Sequence, residues 1–363
     1  MEIGGKNTIF ATSKLKKMSQ RVLMAMSGGI DSSVAALLLQ EQGYDLQGIT
    51  FYTQGEPDRA VEEAQVLADK LGIPHHVLNV SDCFRKTVMQ DFIDEYMQAR
   101  TPNPCVVCNP TIKFGILLEQ MRALQCDYLA TGHYAQIAHD GERYFVRKGV
   151  DTLKDQSYFL WRLPQEALKK ALFPLGGMTK AQVRQFAADH GFVKLSEQKE
   201  SEDICFLPDN DYRAFLRKQI PDISKLQPSG NFVDTHGKIL GKHNGLYNYT
   251  IGQRKGLGIA LGVPAYVVRL DVEHNQVVVG TKEDLQGDRL QIRSTNWMKI
   301  SDFEDGQQVS CRIRYRSSHV PAQLFHTPEG AEVRFANPVE SITPGQSAVF
   351  YDGDDLLGGG III

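Results

Sequence analysis

The chain has no stretch approaching the ~18 uncharged apolar residues that a membrane span requires. Its longest apolar run near the start is Val22–Met26, so membrane-spanning helices are excluded. Met1–Gln20 has no apolar h-region, and Lys14, Lys16 and Lys17 lie on the wrong side of its few apolar residues. A secretory signal is therefore not expected there, and the patterned sequence begins just after Met18. An excess of one charge is also missing. Lys and Arg number 40 against 43 Asp and Glu, a formal net charge of −3. That balance argues against nonspecific nucleic-acid binding by the whole surface and leaves room for a local basic patch. Cysteine is sparse, six in 363 residues, which excludes a disulfide-stapled scaffold and points to reduced thiols in a cytosolic, cytoplasmic protein. No repeat or low-complexity tract is present, and 42% hydrophobic against 23% charged residues excludes intrinsic disorder.

What is present begins with alternating βα units. Val22–Met26, Leu46–Phe51, His76–Val80 and Asp127–Ala130 read as buried strands. Asp31–Gln42, Pro57–Leu71, Asp82–Ala99 and Lys113–Leu124 read as helices, two of them stopped by Gly43 and Gly72. Such units give a doubly wound parallel sheet, an α/β fold whose ligands bind beyond the carboxyl ends of the strands. Past about Leu216 the texture changes to short alternating segments punctuated by Gly, Pro and Asp, including Gln308–Tyr315 and Ser347–Tyr351. These predict β-rich modules ending in a small antiparallel barrel or sandwich. The expected division is a flexible extension at 1–17, a catalytic domain at 18–215, a central β-rich module at 216–280 and a C-terminal antiparallel β-barrel at 281–363.

Ser27-Gly28-Gly29-Ile30-Asp31-Ser32-Ser33 falls between a strand and a helix N-terminus, where free N–H groups and the helix dipole form an anion pocket. Glycines allow close approach to phosphate and three serines add hydroxyl donors. No G-x-x-x-x-G-K-[ST] and no G-x-G-x-x-G occurs, so neither a Walker A loop nor a Rossmann fingerprint is available. The bland alternative is a tight turn with Asp31 or Ser32 as helix cap. The string resembles the PP-loop of ATP pyrophosphatases, which adenylate a carbonyl or carboxylate oxygen and release pyrophosphate.

Thr101-Pro102-Asn103-Pro104-Cys105-Val106-Val107-Cys108-Asn109 reads as a proline-braced loop between helices. A lone C-x-x-C can be half of a zinc site, a redox pair, or a reactive thiol with a distant partner. Cys205, in Glu200-Ser201-Glu202-Asp203-Ile204-Cys205-Phe206, is the candidate partner. Beside Ile and Phe it could equally be a buried core thiol.

Together these motifs resemble the bacterial tRNA-specific 2-thiouridylases from about Arg21 to Ile363. They are joined by Ala130–Ala135 (ATGHYA), Lys154–Leu160 (KDQSYFL), Tyr249–Ile259 (YTIGQRKGLGI) and the C-terminal stretch from Thr343. The resemblance implies 2-thiolation of the wobble uridine of tRNA. ATP, accompanied by Mg²⁺, activates the uracil O2 as an adenylate; persulfide sulfur then reaches C2 and AMP leaves. It implies ATP contacts at Ala25, Met26, Ser27, Gly28, Gly29, Ile30, Asp31, Ser32, Phe51 and Gly132. Asn103, Pro104 and Cys105 would meet the target base, and Lys154, Asp155, Gln156, Arg314 and Tyr315 the tRNA. Cys205 would carry the persulfide and Cys108 act as nucleophile, the two ending as a disulfide that a reductant reopens. Implied partners are tRNAs of the Lys, Glu and Gln acceptors and a persulfide donor such as a cysteine desulfurase or sulfur-relay protein. Two positions depart from the pattern. Cys105 stands where some members carry an aspartate, and a thiol cannot replace a carboxylate's charge at neutral pH. Phe51 stands where methionine is common, and should still wall the adenine.

Alone, Lys154-Asp155-Gln156 reads as a solvated loop. Lys238, Lys242, Arg254 and Lys255, with His236, His243, Tyr247 and Tyr249 interleaved, suit phosphates and unstacked bases. Arg312, Arg314 and Arg316 are expected to share one face of a strand. The rivals are another PP-loop ligase or amidating synthetase, which needs neither Cys108 nor Cys205, and a nonenzymatic RNA-binding or redox-sensing protein, which leaves the PP-loop unexplained.

Overall fold

The computed structural model describes residues 19–57, 59–193, 197, 204–259 and 263–363. The expected extension at 1–17 and the Glu200–Asp203 part of the second cysteine motif lie outside them.

Five parallel strands form the first sheet: β1 (Arg21–Ala25), β2 (Asp45–Tyr52), β3 (His75–Asn79), β4 (Tyr128–Ala130) and β7 (Ala171–Leu172), in the order β3-β2-β1-β4-β7. Alternation along β1 decides which helices cover which face. Val22 and Met24 pack with Val34 of α1 (Ile30–Glu41), Ala64 of α2 (Arg59–Leu71) and Val183 of the helix Lys180–Asp189. Leu23, between them, points the other way, onto Phe114, Leu117 and Met121. Both faces are thus covered, as the doubly wound pattern requires. Gly43 and Gly72 follow α1 and α2 with φ of +85° and +65°, a left-handed stop that a side chain would strain. The order reverses between β1 and β4, so a crevice opens at their carboxyl ends.

Two helical boundaries differ from expectation. The run at 81–97 stops at Met97, with Ala99 at φ +55° taking the role a glycine usually fills. The C-x-x-C segment is not a loop: Asn103 caps a helix that opens at Pro104 and continues to Ala123 through a π-helical stretch, Asn109–Ile116. Proline suits the first helical position because its missing N–H would have had no partner there.

The central module is a four-stranded sheet, β10-β11-β8-β9, built from β8 (Gly230–Val233), β9 (Ile239–His243), β10 (Tyr266–Asp271) and β11 (Gln276–Gly280). Its β8–β11 pair is parallel: two hairpins joined by a long connection meet along strands that run the same way. At the C-terminus six antiparallel strands close into a barrel: β12 (Gln286–Trp297), β13 (Gln307–Arg312), β14 (Val320–Thr327), β15 (Gly330–Glu340), β16 (Ser347–Asp352) and β17 (Asp355–Ile362). The β12–β17 pairing closes it, leaving no open edge among these six. A hairpin from the first half of the chain, β5 (Ala135–His139) and β6 (Tyr144–Lys148), joins β17 at Asp355↔Arg147. Among the described residues no helix is long and apolar enough to cross a membrane.

One expected strand is shortened. β13 ends at Arg312, so Arg312, Arg314 and Arg316 do not share a strand face. Ser317 explains the break: its Oγ accepts the N–H groups of Ile313 and Arg314 and donates to the Arg314 carbonyl, closing a turn.

Candidate active site

The PP-loop string occupies the turn from β1 to α1, at the sheet's crevice. Gly28 has φ +72°, and a Cβ there would lie 2.8 Å from Glu63 Cβ and 2.9 Å from the Ala60 carbonyl, so only glycine fits. The helix begins after Gly29 without a side-chain cap. Neither Asp31 nor Ser32 takes the capping role, and the first-turn N–H groups face the crevice without a side chain across them. The serines divide their work. Ser32 Oγ accepts the Ser27 N–H at 3.1 Å, and the Ser32 and Ser33 hydroxyls both donate to the Gly29 carbonyl, at 3.1 and 2.9 Å. These two buried serines brace the loop, and Ser27 remains exposed at its mouth.

Asp31 faces inward. Its carboxylate accepts from Lys180 Nζ at 2.8 and 2.9 Å and from the Tyr134 hydroxyl at 2.6 Å. Lys180 opens a helix whose start is fixed by a Thr179/Gln182 capping box. The loop contains no lysine of its own; the fold delivers one from far along the chain. Gly132, at the end of β4, lies so close that a Cβ would meet Asp31 C and Ser32 N at 3.0 Å. Met26 is buried, Ala25 and Phe51 are half-buried at the ends of β1 and β2, and Ile30 is buried in the first turn of α1.

Beside this loop lies a cleft of thiols. Asn103 Oδ1 accepts the Cys105 N–H at 3.2 Å, which starts the helix and aims Cys105 and Cys108 outward from buried Pro104 and Val106. All cysteines are free. Cys108 is half-buried, whereas Cys105 and Cys205 are exposed. Burial pushes the Cys108 thiol up to about 12; Cys205 and Cys105 add to the rise and Lys113 opposes it. The Cys205 thiol is raised by burial and then by Cys105, again with Lys113 opposing. Three thiols and one ammonium therefore share a site. Next to Cys205, Phe206 sits edge-on to Phe84, Phe92 and Phe215 at 5.2–5.6 Å. Burying such a ring contributes roughly 2–3 kcal/mol. Phe206 and Leu207 are the core residues here and Cys205 is not, which overturns the buried-thiol reading. Buried Asn109 donates to the Phe159 carbonyl at 2.9 Å.

Lys154-Asp155-Gln156 is not a solvated loop. Asp155 is buried and accepts from the N–H groups of Gly149 and Ser157, the Ser157 hydroxyl and Arg312. Gln156 is tied to Tyr134 by two hydrogen bonds, 3.0 and 2.8 Å. Half-buried Lys154 is the member of the three that sits nearest the surface charge expected of an RNA contact. Arg314 donates to the Glu340 carbonyl at 3.0 Å, and Tyr315 packs on Phe159 at 4.4 Å. In the central module Lys238, Lys242, Arg254 and Lys255 are exposed, but His243, Tyr247 and Tyr249 are buried. Tyr249 packs on Phe232 at 5.2 Å within the module's core. The expected interleaving of cations with stacking aromatics is corrected accordingly: the cations face out and these rings face in.

Reasoning from sequence missed Lys180, Lys113 and the Glu95–Arg293 pair. Glu95 Oε1 accepts from Arg100 at 2.6 Å and from Arg293 of β12 at 3.0 Å, joining the catalytic domain to the barrel behind the cysteine helix. The Thr101 N–H donates to the Pro344 carbonyl at 2.8 Å and Gln346 Nε2 to the Thr101 carbonyl at 2.8 Å. The barrel's last turn thereby holds the segment that leads into the cysteines. Only the Thr179–Gln182 capping signature could have placed one of these residues, Lys180, at a helix start.

Three family models cover the chain. They are described as a tRNA methyl transferase HUP domain at 20–209, a tRNA methyl transferase PRC-barrel domain at 213–281 and an aminomethyltransferase beta-barrel domain at 287–362. The tRNA-specific 2-thiouridylase MnmA 1 of Caldanaerobacter subterraneus is 46% identical over 95% of this chain and 98% of its own. That of Heliobacterium modesticaldum is 47% identical over 95% and 93%, and that of Clostridium acetobutylicum 43% over 95% and 100%. With the phosphate loop and the thiol cleft in place at one crevice, and relatives matched from end to end, the chain belongs to the tRNA-specific 2-thiouridylase family.

Proposed function

We propose that this protein is an ATP-dependent tRNA sulfurtransferase that forms 2-thiouridine at the wobble position. The observation that carries the reading is the adjacency of a braced phosphate loop and a cluster of free thiols, joined by Gly132 and the helix 104–123. In this reading ATP phosphates lie on the N–H groups at the start of α1, against Ser27 and Gly28, with Phe51 as the apolar wall for adenine. Mg²⁺ would accompany the phosphates and neutralise part of their charge.

The uracil O2 attacks the α-phosphorus, pyrophosphate leaves, and O2 becomes part of a good leaving group. Cys205 carries the incoming sulfur as a persulfide. That sulfur bonds to C2 as the C2–O2 bond breaks and AMP departs; Cys108 attacks the Cys205 sulfur, breaking the S–S bond and leaving a Cys108–Cys205 disulfide for a reductant to reopen. A base within an anticodon loop must be splayed out to reach this cleft. Asn103, Pro104 and Cys105 would border it, and Lys154, Arg314 and Tyr315 would contact the RNA. Asp155 and Gln156 would serve by fixing that loop from beneath.

The test is mass spectrometry of a wobble-uridine tRNA incubated with ATP, Mg²⁺ and a persulfide source. Wild type should add one sulfur and release pyrophosphate only when tRNA is present. Cys108→Ser and Cys205→Ser should add none. Pyrophosphate release driven by a small carboxylate without tRNA would instead support a PP-loop ligase.

A further inference from the structure

Lys113 is a half-buried ammonium that, among the described residues, makes no hydrogen bond or ion pair. A lysine held there for packing alone would recover its desolvation cost through a carboxylate. Instead the titratable groups around it are Cys105, Cys108, Cys205 and the buried His133.

The backbone explains this placement. Cys108 and Lys113 are five residues apart across the π-helical segment Asn109–Ile116. In an α-helix such a pair would point about 140° apart. A π-helix closes its hydrogen bonds from i to i+5, which turns the two onto the same side of the helix. The roll of the segment is fixed by the next residue, since Phe114 packs against His133 and Phe173 with ring centroids 6.3 and 5.9 Å apart. His133 follows Gly132, the residue pressed against Asp31 and Ser32. Lys113 therefore stands where the thiol cleft meets the phosphate loop.

We propose that Lys113 is a positioning residue that acts through Cys108, lowering the cost of ionising its sulfur and drawing negative charge into the junction of the two half-sites. The inference rests on Cys108 being the attacking thiol. The ionisation it favours is loss of the Cys108 S–H proton to water. Charged and titratable groups facing Cys108 are Lys113 and Cys105 from its own helix and Cys205 from the segment opposite. Among the described residues no carboxylate stands with them to cancel the ammonium.

The experiment compares alkylation of Cys108 by neutral iodoacetamide and anionic iodoacetate in the full-length protein at pH 8.5, read by peptide mass spectrometry. Lys113→Met should slow the iodoacetamide reaction about tenfold, the effect of about one unit in thiol pKa. It should slow iodoacetate further, lowering the iodoacetate-to-iodoacetamide ratio at least about threefold. Lys113→Arg, which keeps the charge, should restore the ratio. A merely structural role would change both rates together, so an unchanged ratio in Lys113→Met would overturn the inference. Because the ratio needs neither ATP nor tRNA, its outcome is separate from that of the thiolation assay: wild type that adds no sulfur would sink the functional reading alone.

Discussion

Lys180 Nζ lies 2.8 and 2.9 Å from the two carboxylate oxygens of Asp31, and its ammonium also sits over the Tyr134 ring at 5.6 Å. The pair links the phosphate loop to a helix that starts 149 residues later. Lys180 is the more buried partner, its side chain 10% exposed against 35% for Asp31.

Lys180→Met should therefore remove the cation paired with Asp31 of the phosphate loop. Breaking a fully buried pair costs about 3–5 kcal/mol; with Asp31 partly open to water, about 1–3 kcal/mol is expected. Thermal unfolding should show that loss, and tRNA-dependent pyrophosphate release should fall about a hundredfold. Nucleotide affinity equal to wild type would remove Lys180 from the ATP site.

Gly28→Ala tests the loop's shape. Its positive φ and the 2.8 Å approach to Glu63 Cβ predict about 1–3 kcal/mol of strain. Because that strain sits in the nucleotide cradle, ATP binding measured by calorimetry should weaken at least tenfold. Gly43→Ala, also at positive φ but with open space around it, should lower stability and leave ATP binding unchanged.

The three thiols can be separated by single substitutions. Cys205→Ser should abolish sulfur addition while leaving tRNA-dependent pyrophosphate release intact, since adenylation does not need the persulfide. Cys105→Ser should retain at least about a tenth of wild-type thiolation if Cys108 alone resolves the S–S bond. Activity in Cys108→Ser with none in Cys105→Ser would exchange the roles of the two loop cysteines.

The Glu95–Arg293 contact couples the barrel to the helix Gln90–Met97, which leads into the cysteine segment. Glu95→Ala leaves Arg100 and Arg293 without their shared carboxylate; with Arg100 and Glu95 side chains only 21% and 12% exposed, about 2–4 kcal/mol should be lost. Sulfur addition should drop more than ATP binding, because Glu95 lies on the helix that leads into the segment bearing Cys105 and Cys108. Equal losses in both assays would mean the contact matters for global stability alone.

His326 predicts a pH effect confined to the barrel. Hydrogen bonds that its ring donates to the Asp302 and Asp305 carboxylates raise its pKa above 6.5. A raised imidazole pKa contributes stability fully below about pH 6.5 and loses it as pH climbs through the folded value. The thermal-midpoint gap between wild type and His326→Gln should be wider at pH 5.5 than at pH 8.5. A gap independent of pH would show that the imidazolium is not the stabilising form.

Much of this arrangement was legible in the residues themselves. The strand–glycine–helix string predicts an anion cradle because apolar alternation, a turn needing positive φ and a helix start are local properties. Cys108 and Cys205, however, are 97 positions apart in sequence, and motif order suggested their partnership without any physical means of bringing them together. Their meeting follows from the Phe206 aromatic cluster and the helix opened by Asn103. The Arg312 row misled for a similar reason: alternation predicts a shared face only while the strand continues, and Ser317 ends it.

What the sequence determined alone, then, was the set of local devices: the parallel βα order, the phosphate turn, the glycine stops and the barrel's strand periodicity. Tertiary structure decided which charges serve them. Lys180 reaches Asp31 and Arg293 reaches Glu95 because packing of distant elements sets their positions. Local propensity carries no information about partners so far apart in the chain, whereas a buried charge is tolerated only where the completed fold surrounds it with suitable groups.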